Sequence, residues 1–475
     1  MRVLFAASEA VPFIKSGGLA DVIGALPKEL TKKGVEALVV LPKYSDMKMS
    51  DELEYVTSYD IYIGWRKVYC GIFKAEVDGV VYYFIDNETY FRRPGLYGYH
   101  DDNERFAFFD FAVLELISHL NLDIDVLHLH DWQTAMIAMV YKERYSYFPG
   151  YENIKIVFTI HNIAFQGKCD PKLLTDLFSL DSYLYYNGNA RHDDCLNMMK
   201  AAIVYSDIIT TVSPTYAKEI LTPEYGEGLH TVLELRRYDL YGILNGIDYD
   251  INNPETDGSL VANFNSDNFR VEKVKNKLAL QKEVGLEQDS RVPLIGVVTR
   301  LTRQKGLDLI LNKLELLMEE EVQVVILGAG DQVYEQALKD VAWKYDGKLS
   351  VQLKYDFGLS CRIYGGTDMF LMPSLFEPCG LSQMMALRYG SVPIVRETGG
   401  LKDSVPAFDD ENQTGLGFSF VNFNAEEMFD TILYALHVYY NNRESWDDLV
   451  KRGMNAKLDW EHSAQEYLKI YKSLL

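Results

Sequence analysis

The sequence lacks the cysteine pattern of a disulfide-bonded or zinc-binding protein. Its five cysteines are scattered, and no two of them form a Cys-x-x-Cys pair. This usage excludes a disulfide framework and a zinc site as organising features. The chain also lacks an apolar run long enough to cross a bilayer, and its start shows no secretory leader pattern. We therefore expect a cytoplasmic protein with reduced thiols and no membrane partner.

Basic residues are few relative to acidic ones. Lysine and arginine together number 47, against 69 aspartates and glutamates, which gives a formal net charge of -22. This balance excludes general binding to nucleic acid or to an anionic membrane, because both surfaces are themselves negative. A local cluster of cations on such a chain therefore indicates an anionic ligand at that place.

Repeats and low-complexity tracts are also absent, and 475 residues exceed what one ordinary core can organise. Apolar, β-rich runs alternate with amphipathic stretches in both halves, which is typical of parallel sheets covered by helices. A polar stretch from Asn252 to Asn268 separates the halves. We predict an α/β protein with a Rossmann-like domain at residues 1–241, a second at residues 242–460, and a helix at residues 461–475 that packs back on the first.

The alternation predicts individual elements. One interval departs from it, because Asp78-Gly79 between apolar runs predicts a hairpin within residues 61–85. Strands are predicted at residues 37–41, 80–85, 126–130, 154–160, 208–212, 294–298, 322–327, 349–354, 369–372 and 392–395. Helices are predicted in the first half at residues 105–119, 134–145, 195–205 and 215–221.

A glycine-rich loop follows the first apolar run, at residues 3–7. It reads Lys15-Ser-Gly-Gly-Leu-Ala-Asp21 and leads into apolar residues at helical spacing. Adjacent glycines let a ligand approach the backbone, a helix start offers unpaired N–H groups, and Lys15 adds a positive charge. The loop therefore fits a phosphate site. It fits equally a tight turn with a surface lysine, and it matches neither the Walker loop nor the dinucleotide fingerprint.

A basic loop follows the predicted strand at residues 294–298. The sequence from Arg300 to Gly306 carries three cations, at Arg300, Arg303 and Lys305. Arginine holds a phosphate with a planar fork and lysine with a point charge. Because the loop lies at the carboxyl end of a strand on an acidic chain, we favour an anion site over a solvated basic surface.

An acidic loop follows the predicted strand at residues 369–372. Glu377 lies between the strand end and Pro378, and Gly380 leads into a helix. The glutamate can accept hydrogen bonds from sugar hydroxyls, while N–H groups near Gly380 point at an anion or a hydroxyl. Cys379 fits a packing contact better than a nucleophile, because no histidine is implied beside it.

Histidines end two predicted strands of the first half. His128 and His130 precede Asp131, and His161 precedes Asn162. Strand ends of one parallel sheet share an edge, so these groups are candidates for one site, although a single histidine is more often structural. The His-x-His-Asp order also fits a metal, but no further carboxylate or cysteine cluster completes a ligand shell.

Seven motifs together resemble bacterial glycogen synthases and plant starch synthases. They occur in order almost from end to end: residues 15–21, His130-Asp131-Trp132, His161-Asn162, Asn245-Gly246-Ile247-Asp248, residues 300–306, Glu377 to Leu381, and residues 398–403. The resemblance implies the GT-B architecture, with two Rossmann-like domains whose sheets face each other across a deep cleft. It implies transfer of glucose from ADP-glucose to the non-reducing-end 4-hydroxyl of an α-1,4-glucan, with retention and without a cofactor or a required metal.

The resemblance also implies roles for matching residues in the first half. Lys15 and Gly18 would lie near the diphosphate and glucose, and Asp21 near the donor. His161 would lie at the reacting sugar with its backbone carbonyl toward the cationic centre. The other implied positions lining the site are Asn162, Asp131 and Asn245.

In the second half, the resemblance implies that Arg300 and Lys305 stabilise the departing ADP. Glu377 would bind glucose hydroxyls, and Tyr355 would stack near the adenine. The loop residues implied to contact glucose or phosphate are Cys379, Gly380, Leu381 and Ser382.

Several alternatives stay open at this stage. Retention fits same-face attack, with the leaving phosphate taking the proton, and also double displacement on a carboxylate such as Glu377. Another GT-B hexosyltransferase, a glucan phosphorylase and a non-catalytic glucan-binding relative are competing functions. The chain also departs from many relatives at Gln133, Asn252, Asp356-Phe357 and Met385. These departures leave acceptor preference and fine donor selectivity open.

Overall fold

Two structural units make up the chain, and the computed structural model describes all 475 residues. The first unit comprises Met1–Asn245 together with Trp460–Leu475, and the second comprises Gly246–Asp459. The first unit continues beyond residue 241 because a last short strand, Leu240–Gly242, still pairs with its sheet.

The first unit is built on a nine-stranded sheet with a separate three-stranded sheet beside it. Its strands in chain order are β1 (Arg2–Ala6), β2 (Glu36–Pro42), β3 (Glu54–Ile63), β4 (Arg66–Val77), β5 (Val80–Asp86), β6 (Val126–His130), β7 (Lys155–Ile160), β8 (Lys168–Cys169), β9 (Arg191–His192), β10 (Cys195–Asn197), β11 (Ile208–Thr211) and β12 (Leu240–Gly242). The large sheet has the order β12-β11-β7-β6-β1-β2-β5-β4-β3, and β8, β10 and β9 form the small one.

The predicted hairpin is confirmed within this sheet. Strands β4 and β5 are antiparallel and joined at Asp78 and Gly79, both of which have positive φ, as a tight hairpin turn requires. A further antiparallel strand, β3, precedes them. All other neighbours in the large sheet are parallel.

Nine helices of the first unit precede the second. They are α1 (Gly18–Lys32), α2 (Glu88–Phe91), α3 (Asp102–His119), α4 (Met136–Val140), α5 (Leu173–Asp176), α6 (Tyr183–Tyr186), α7 (Met198–Tyr205), α8 (Pro214–Glu219) and α9 (His230–Leu235). Short 3-10 turns occur at Ser50–Glu52 and Trp132–Thr134, and a π-helical turn at Tyr141–Tyr145. The helix predicted from residue 195 begins only at Met198, because Cys195–Asn197 pairs as β10 and Asn197 caps the helix by accepting the Lys200 N–H.

The second unit is a fully parallel six-stranded sheet in the order β15-β14-β13-β16-β17-β18. Its strands are β13 (Leu294–Val298), β14 (Gln323–Leu327), β15 (Leu349–Gln352), β16 (Met369–Met372), β17 (Val392–Arg396) and β18 (Phe418–Phe420). Its helices are α10 (Phe269–Val284), α11 (Leu307–Leu317), α12 (Gln332–Lys344), α13 (Phe357–Gly366), α14 (Ser382–Arg388), α15 (Gly399–Ser404), α16 (Ala425–Asn441) and α17 (Arg443–Met454), with a 3-10 turn at Arg303–Lys305.

The chain ends in a helix that belongs to the first unit. Helix α18 (Trp460–Leu474) contributes Trp460, Tyr467 and Tyr471 to the same buried cluster as Phe5 of β1 and Leu26 of α1. These large apolar side chains are almost fully removed from water. Their burial fixes α18 against the sheet that carries the histidine-bearing strands.

Candidate active site

An ion pair largely removed from water joins two of the predicted site residues in the second unit. Lys305 Nζ lies 2.6 Å from Glu377 Oε2, and Ser374 Oγ donates to the same carboxylate oxygen over 3.0 Å. Lys305 follows β13 and Glu377 follows β16, which are neighbouring strands of the parallel sheet. The carboxyl ends of the two strands therefore bring together residues that lie far apart in sequence.

Backbone contacts hold the two loops that carry this pair against each other. Gly306 has φ +78°, and a Cβ there would overlap the Pro373 carbonyl oxygen. The Leu375 N–H donates to the Gln304 carbonyl over 2.8 Å. Only glycine permits this close approach, so Gly306 sets the distance between the lysine loop and the glutamate loop.

Two further glycines, Gly399 and Gly400, also contact the glutamate loop. The Gly400 N–H, at the start of α15, lies 3.2 Å from the Glu377 carbonyl oxygen. A Cβ at Gly399 would overlap that same carbonyl. The Thr398-Gly399-Gly400 motif therefore serves close backbone packing against Glu377.

Arg300 and Arg303 lie in different environments from Lys305. Arg303 pairs with Asp308 at 3.3 Å. Arg300 is exposed and its guanidinium makes no ion pair or hydrogen bond within the protein. Of the three cations in the basic loop, Arg300 is therefore the one that has no partner within the protein.

The remaining predicted residues of this unit follow Glu377 or lie further away. Cys379 is buried, and Gly380 has φ +70°, which turns the chain into α14 at Leu381 and Ser382. Gln383, which the sequence did not single out, holds this turn by donating to the Cys379 and Gly380 carbonyls. Tyr355 is 82% exposed, so its ring is accessible.

In the first unit, a buried glutamate organises the glycine-rich loop. The carboxylate of Glu9 accepts the N–H of Ser16, the hydroxyl of Ser16 at 3.1 Å and the N–H of Gly17 at 3.3 Å. Burial raises the pKa of Glu9. Lys15 pairs with Asp21 at 2.7 Å beside the start of α1 at Gly18. The Gly17 N–H, just before the helix start, is thus occupied by a protein carboxylate.

Asp131 positions the backbone of His161. Strands β6 and β7 are neighbours, and their ends place Asp131 Oδ1 2.8 Å from the His161 N–H and 3.4 Å from the Asn162 N–H. Asp131 has φ 57° and ψ -177°, a conformation that is nearly restricted to glycine and costs about 1–3 kcal/mol. Burial raises the pKa of Asp131 to about 7. The carboxylate thus keeps its place only because the surrounding sheet holds it there.

The three histidines divide into one structural and two paired rings. His128 lies 2.7 Å from the Tyr471 hydroxyl and 2.6 Å from Thr159 Oγ1, so both of its nitrogens are used inside the core. His130 Nδ1 lies 2.9 Å from His161 Nε2. Desolvation lowers the pKa of His161 to about 3, so the imidazole is neutral at neutral pH. The His161 carbonyl accepts no hydrogen bond from the protein.

Other features bear on site chemistry. Asn245 is buried, and its Oδ1 has no hydrogen-bond partner within the protein. No group of three or more His, Cys, Asp or Glu side chains is arranged to hold a metal ion. None of the helices combines the length and the apolar character needed to traverse a bilayer.

Solved structures define the class of the fold. A sucrose-phosphate synthase from Thermosynechococcus elongatus aligns with a TM-score of 0.60 over 100% of this chain and 98% of that one, at 13% identity. The catalytic domain of starch synthase IV from Arabidopsis thaliana, solved with ADP and acarbose, aligns with a TM-score of 0.93 and 37% identity, covering 100% and 99% of the two chains. The protein has the two-domain GT-B architecture of these glycosyltransferases.

Sequence comparison then identifies the family. The starch synthase catalytic domain matches residues 2–235, and glycosyl transferases group 1 match residues 281–452. The glycogen synthase of Clostridium botulinum (strain Alaska E43 / Type E3) is 52% identical over 100% of this chain and 99% of its own length. That of Bacillus anthracis is 49% identical, with 100% of both chains covered. The chain belongs to the glycogen and starch synthase family.

The glycine contact between the two loops is open to test. We expect Gly306→Ala to lower glucosyl transfer at least about tenfold, because a methyl group would force the lysine loop away from the glutamate loop. Gly285→Ala is the matched control, since Gly285 has a similar φ of +79° but no atom within 4 Å of the added Cβ. Transfer rates of both purified variants check this. Equal rates in the two would show that the loop contact does not govern activity.

The raised pKa of Asp131 predicts a pH-dependent stability. Its pKa is about 7 in the folded protein against an ordinary value of 3.8. The folded state therefore binds this proton more tightly, and the associated stability is present below about pH 4 and lost as the pH rises to about 7. Wild type should lose stability relative to Asp131→Asn over that range. Urea unfolding of the full-length wild-type and Asp131→Asn proteins at about pH 4 and about pH 7 measures the free energy of unfolding. A difference between the two proteins that stays the same at both pH values would contradict the prediction.

Proposed function

We propose that this enzyme is a glycogen synthase that transfers glucose from ADP-glucose to the 4-hydroxyl at the non-reducing end of an α-1,4-glucan, with retention at the anomeric carbon. Full-length relatives at about half identity are glycogen synthases. The observation that carries the site assignment is the largely buried Lys305–Glu377 pair, held by glycine contacts beside the unpaired Arg300. The donor and glucan are its substrates, and it needs no cofactor.

The basic loop supplies the charge that the leaving group needs. As the bond to the diphosphate breaks, negative charge grows on the phosphate oxygens, and fixed cations stabilise that charge most where water is excluded. The ammonium of Lys305 has one hydrogen bond to Glu377, which leaves two donors for phosphate. The exposed guanidinium of Arg300 offers a planar fork. These two cations take the role that a metal ion has in other transferases.

Glu377 fits a hydroxyl-binding role better than a nucleophilic one. Its Oε2 is occupied by Lys305 and Ser374, whereas Oε1 makes no hydrogen bond within the protein. A carboxylate neutralised by a lysine at 2.6 Å is a weakened nucleophile but a well-oriented acceptor. We therefore favour same-face attack, in which the leaving phosphate takes the proton of the acceptor hydroxyl, over double displacement.

The first unit supplies groups of the opposite sign. The carbonyl of His161 has no hydrogen-bond donor in the protein, and Asp131 fixes the peptide that precedes Asn162. A free carbonyl dipole stabilises the positive charge that develops at the anomeric carbon. The neutral imidazole of His161 adds no competing positive charge there. In this scheme Glu9 holds the Lys15 loop in shape.

The proposal also covers how the adenine is bound and where in the cell the enzyme is located. Tyr355 has an accessible ring that can stack on adenine. None of the five cysteines forms a disulfide, which fits a reducing compartment, and we place the enzyme in the cytoplasm.

One assay tests the function directly. The purified protein is incubated with glycogen and either ADP-glucose or UDP-glucose, and nucleotide release is scored together with incorporation of glucose. We expect ADP release coupled to incorporation, unchanged by a metal chelator. Absence of transfer from both donors would refute the proposal, and a requirement for a divalent cation would refute the metal-free scheme.

Single substitutions test the site. We expect Lys305→Ala and Glu377→Ala each to lower transfer more than tenfold, a loss of at least about 1.4 kcal/mol of transition-state stabilisation. Lys313→Ala is the matched control, because Lys313 is also largely buried and paired, with Glu426, in the same unit. Steady-state rates with ADP-glucose and glycogen provide the measurement. Near-normal rates in both site variants would defeat the assignment.

A further inference from the structure

His130 contacts His161 through one ring nitrogen and leaves its other nitrogen without a partner. Its Nδ1 lies 2.9 Å from His161 Nε2. Its Nε2 is buried and has no hydrogen-bond partner. The side chain is fully removed from solvent. The protons on the two rings therefore cannot be placed independently of each other.

The surroundings of His130 offer its Nε2 no acceptor. The ring of Phe5 is stacked at a centroid distance of 6.0 Å, with 21° between the planes, and the ring of His128 lies at 4.2 Å and 36°. Both nitrogens of His128 are already engaged, by Tyr471 and Thr159. Neither the stacked Phe5 ring nor the tilted His128 ring supplies an acceptor to the Nε2 of His130.

Two arrangements of protons are compatible with the short contact. Desolvation lowers the pKa of both rings, so each is neutral and carries one proton. If His161 donated through Nε2, the proton of His130 would lie on its own Nε2 as a buried N–H with no acceptor. If His130 donates through Nδ1, its Nε2 carries only a lone pair. Buried N–H groups without acceptors are rarer in proteins than acceptors without donors.

We infer that His130 donates through Nδ1 to His161 Nε2 and thereby holds His161 as the tautomer that carries its proton on Nδ1. Nδ1 of His161 has no hydrogen-bond partner in the protein and is not a buried atom. It presents an N–H to an oxygen of the bound substrate, which under the proposed function belongs to the hexose. His130 is a positioning residue, because it acts on the substrate only through His161.

Nitrogen NMR of the full chain with 15N-labelled histidine tests the tautomer without an activity measurement. Protonated and unprotonated ring nitrogens resonate in separate regions, and His161→Gln identifies the His161 signals by their loss. We expect a protonated Nδ1 and an unprotonated Nε2 for His161. A protonated Nε2 would overturn the inference.

Substitutions at residue 130 test the consequence for turnover. His130→Leu removes the donor, and we expect mixed His161 tautomers and a kcat at least about tenfold lower, with a smaller change in KM. His130→Asn places an amide N–H close to the position of Nδ1 and should recover kcat to within about threefold of wild type. Tyr471→Phe is the control, since it disturbs the same buried cluster through His128 and should leave the His161 tautomer unchanged.

The outcomes separate this inference from the proposed function. If wild type shows the Nδ1–H tautomer but transfers no glucose, the proposed function fails and the inference stands. If it transfers glucose with the Nε2–H tautomer, or if His130→Asn is no better than His130→Leu, the inference fails. Should His130→Leu not fold, the wild-type and His130→Asn spectra still decide between the tautomers.

Discussion

Lys305 and Glu377 are both largely buried, and they stabilise each other only while their side chains stay in contact. The separation of 2.6 Å between Lys305 and Glu377 depends on two loops that meet without a side chain between them, at Gly306 and Pro373. Removing either charge would leave the other desolvated and unpaired, which is costly. The local arrangement of the two loops follows from this constraint, because Ser374 also donates to the carboxylate of Glu377.

The loops of the first unit carry several carboxylates, in contrast to the cations of the basic loop in the second unit. Its loop residues include the carboxylates of Glu9, Asp21 and Asp131, of which Asp21 is matched by Lys15. Glu9 accepts backbone N–H groups of the glycine-rich loop, and Asp131 accepts those of His161 and Asn162. The anion-binding potential of the glycine-rich loop is thereby partly used within the protein.

Much of the fold could be predicted from the sequence, because its signals are local. The turn at Asp78 and Gly79 needs two positive φ angles, and the apolar spacing after Gly18 marks the buried face of α1. The helix start at residue 195 was wrong because Cys195–Asn197 pairs with β8, a contact with residues that the local pattern does not include. Motifs at strand ends helped to predict the location of the site. Parallel strands end on one edge of the sheet, and ligand sites of α/β proteins lie at that edge. The roles assigned to those residues through the family stay predictions.

The sequence by itself determined the elements, the two parallel sheets, the family and the loops on which candidate residues lie, since periodicity and ordered motifs are written along the chain. Only the tertiary structure decided which of those residues meet. Lys305 and Glu377 are 72 positions apart, and His128 finds Tyr471 across 343. It also showed the contacts that Glu9, Gln383 and His130 make. The physical reason is that hydrogen bonds and ion pairs act over about 3 Å, a distance that only folding sets between residues far apart in sequence.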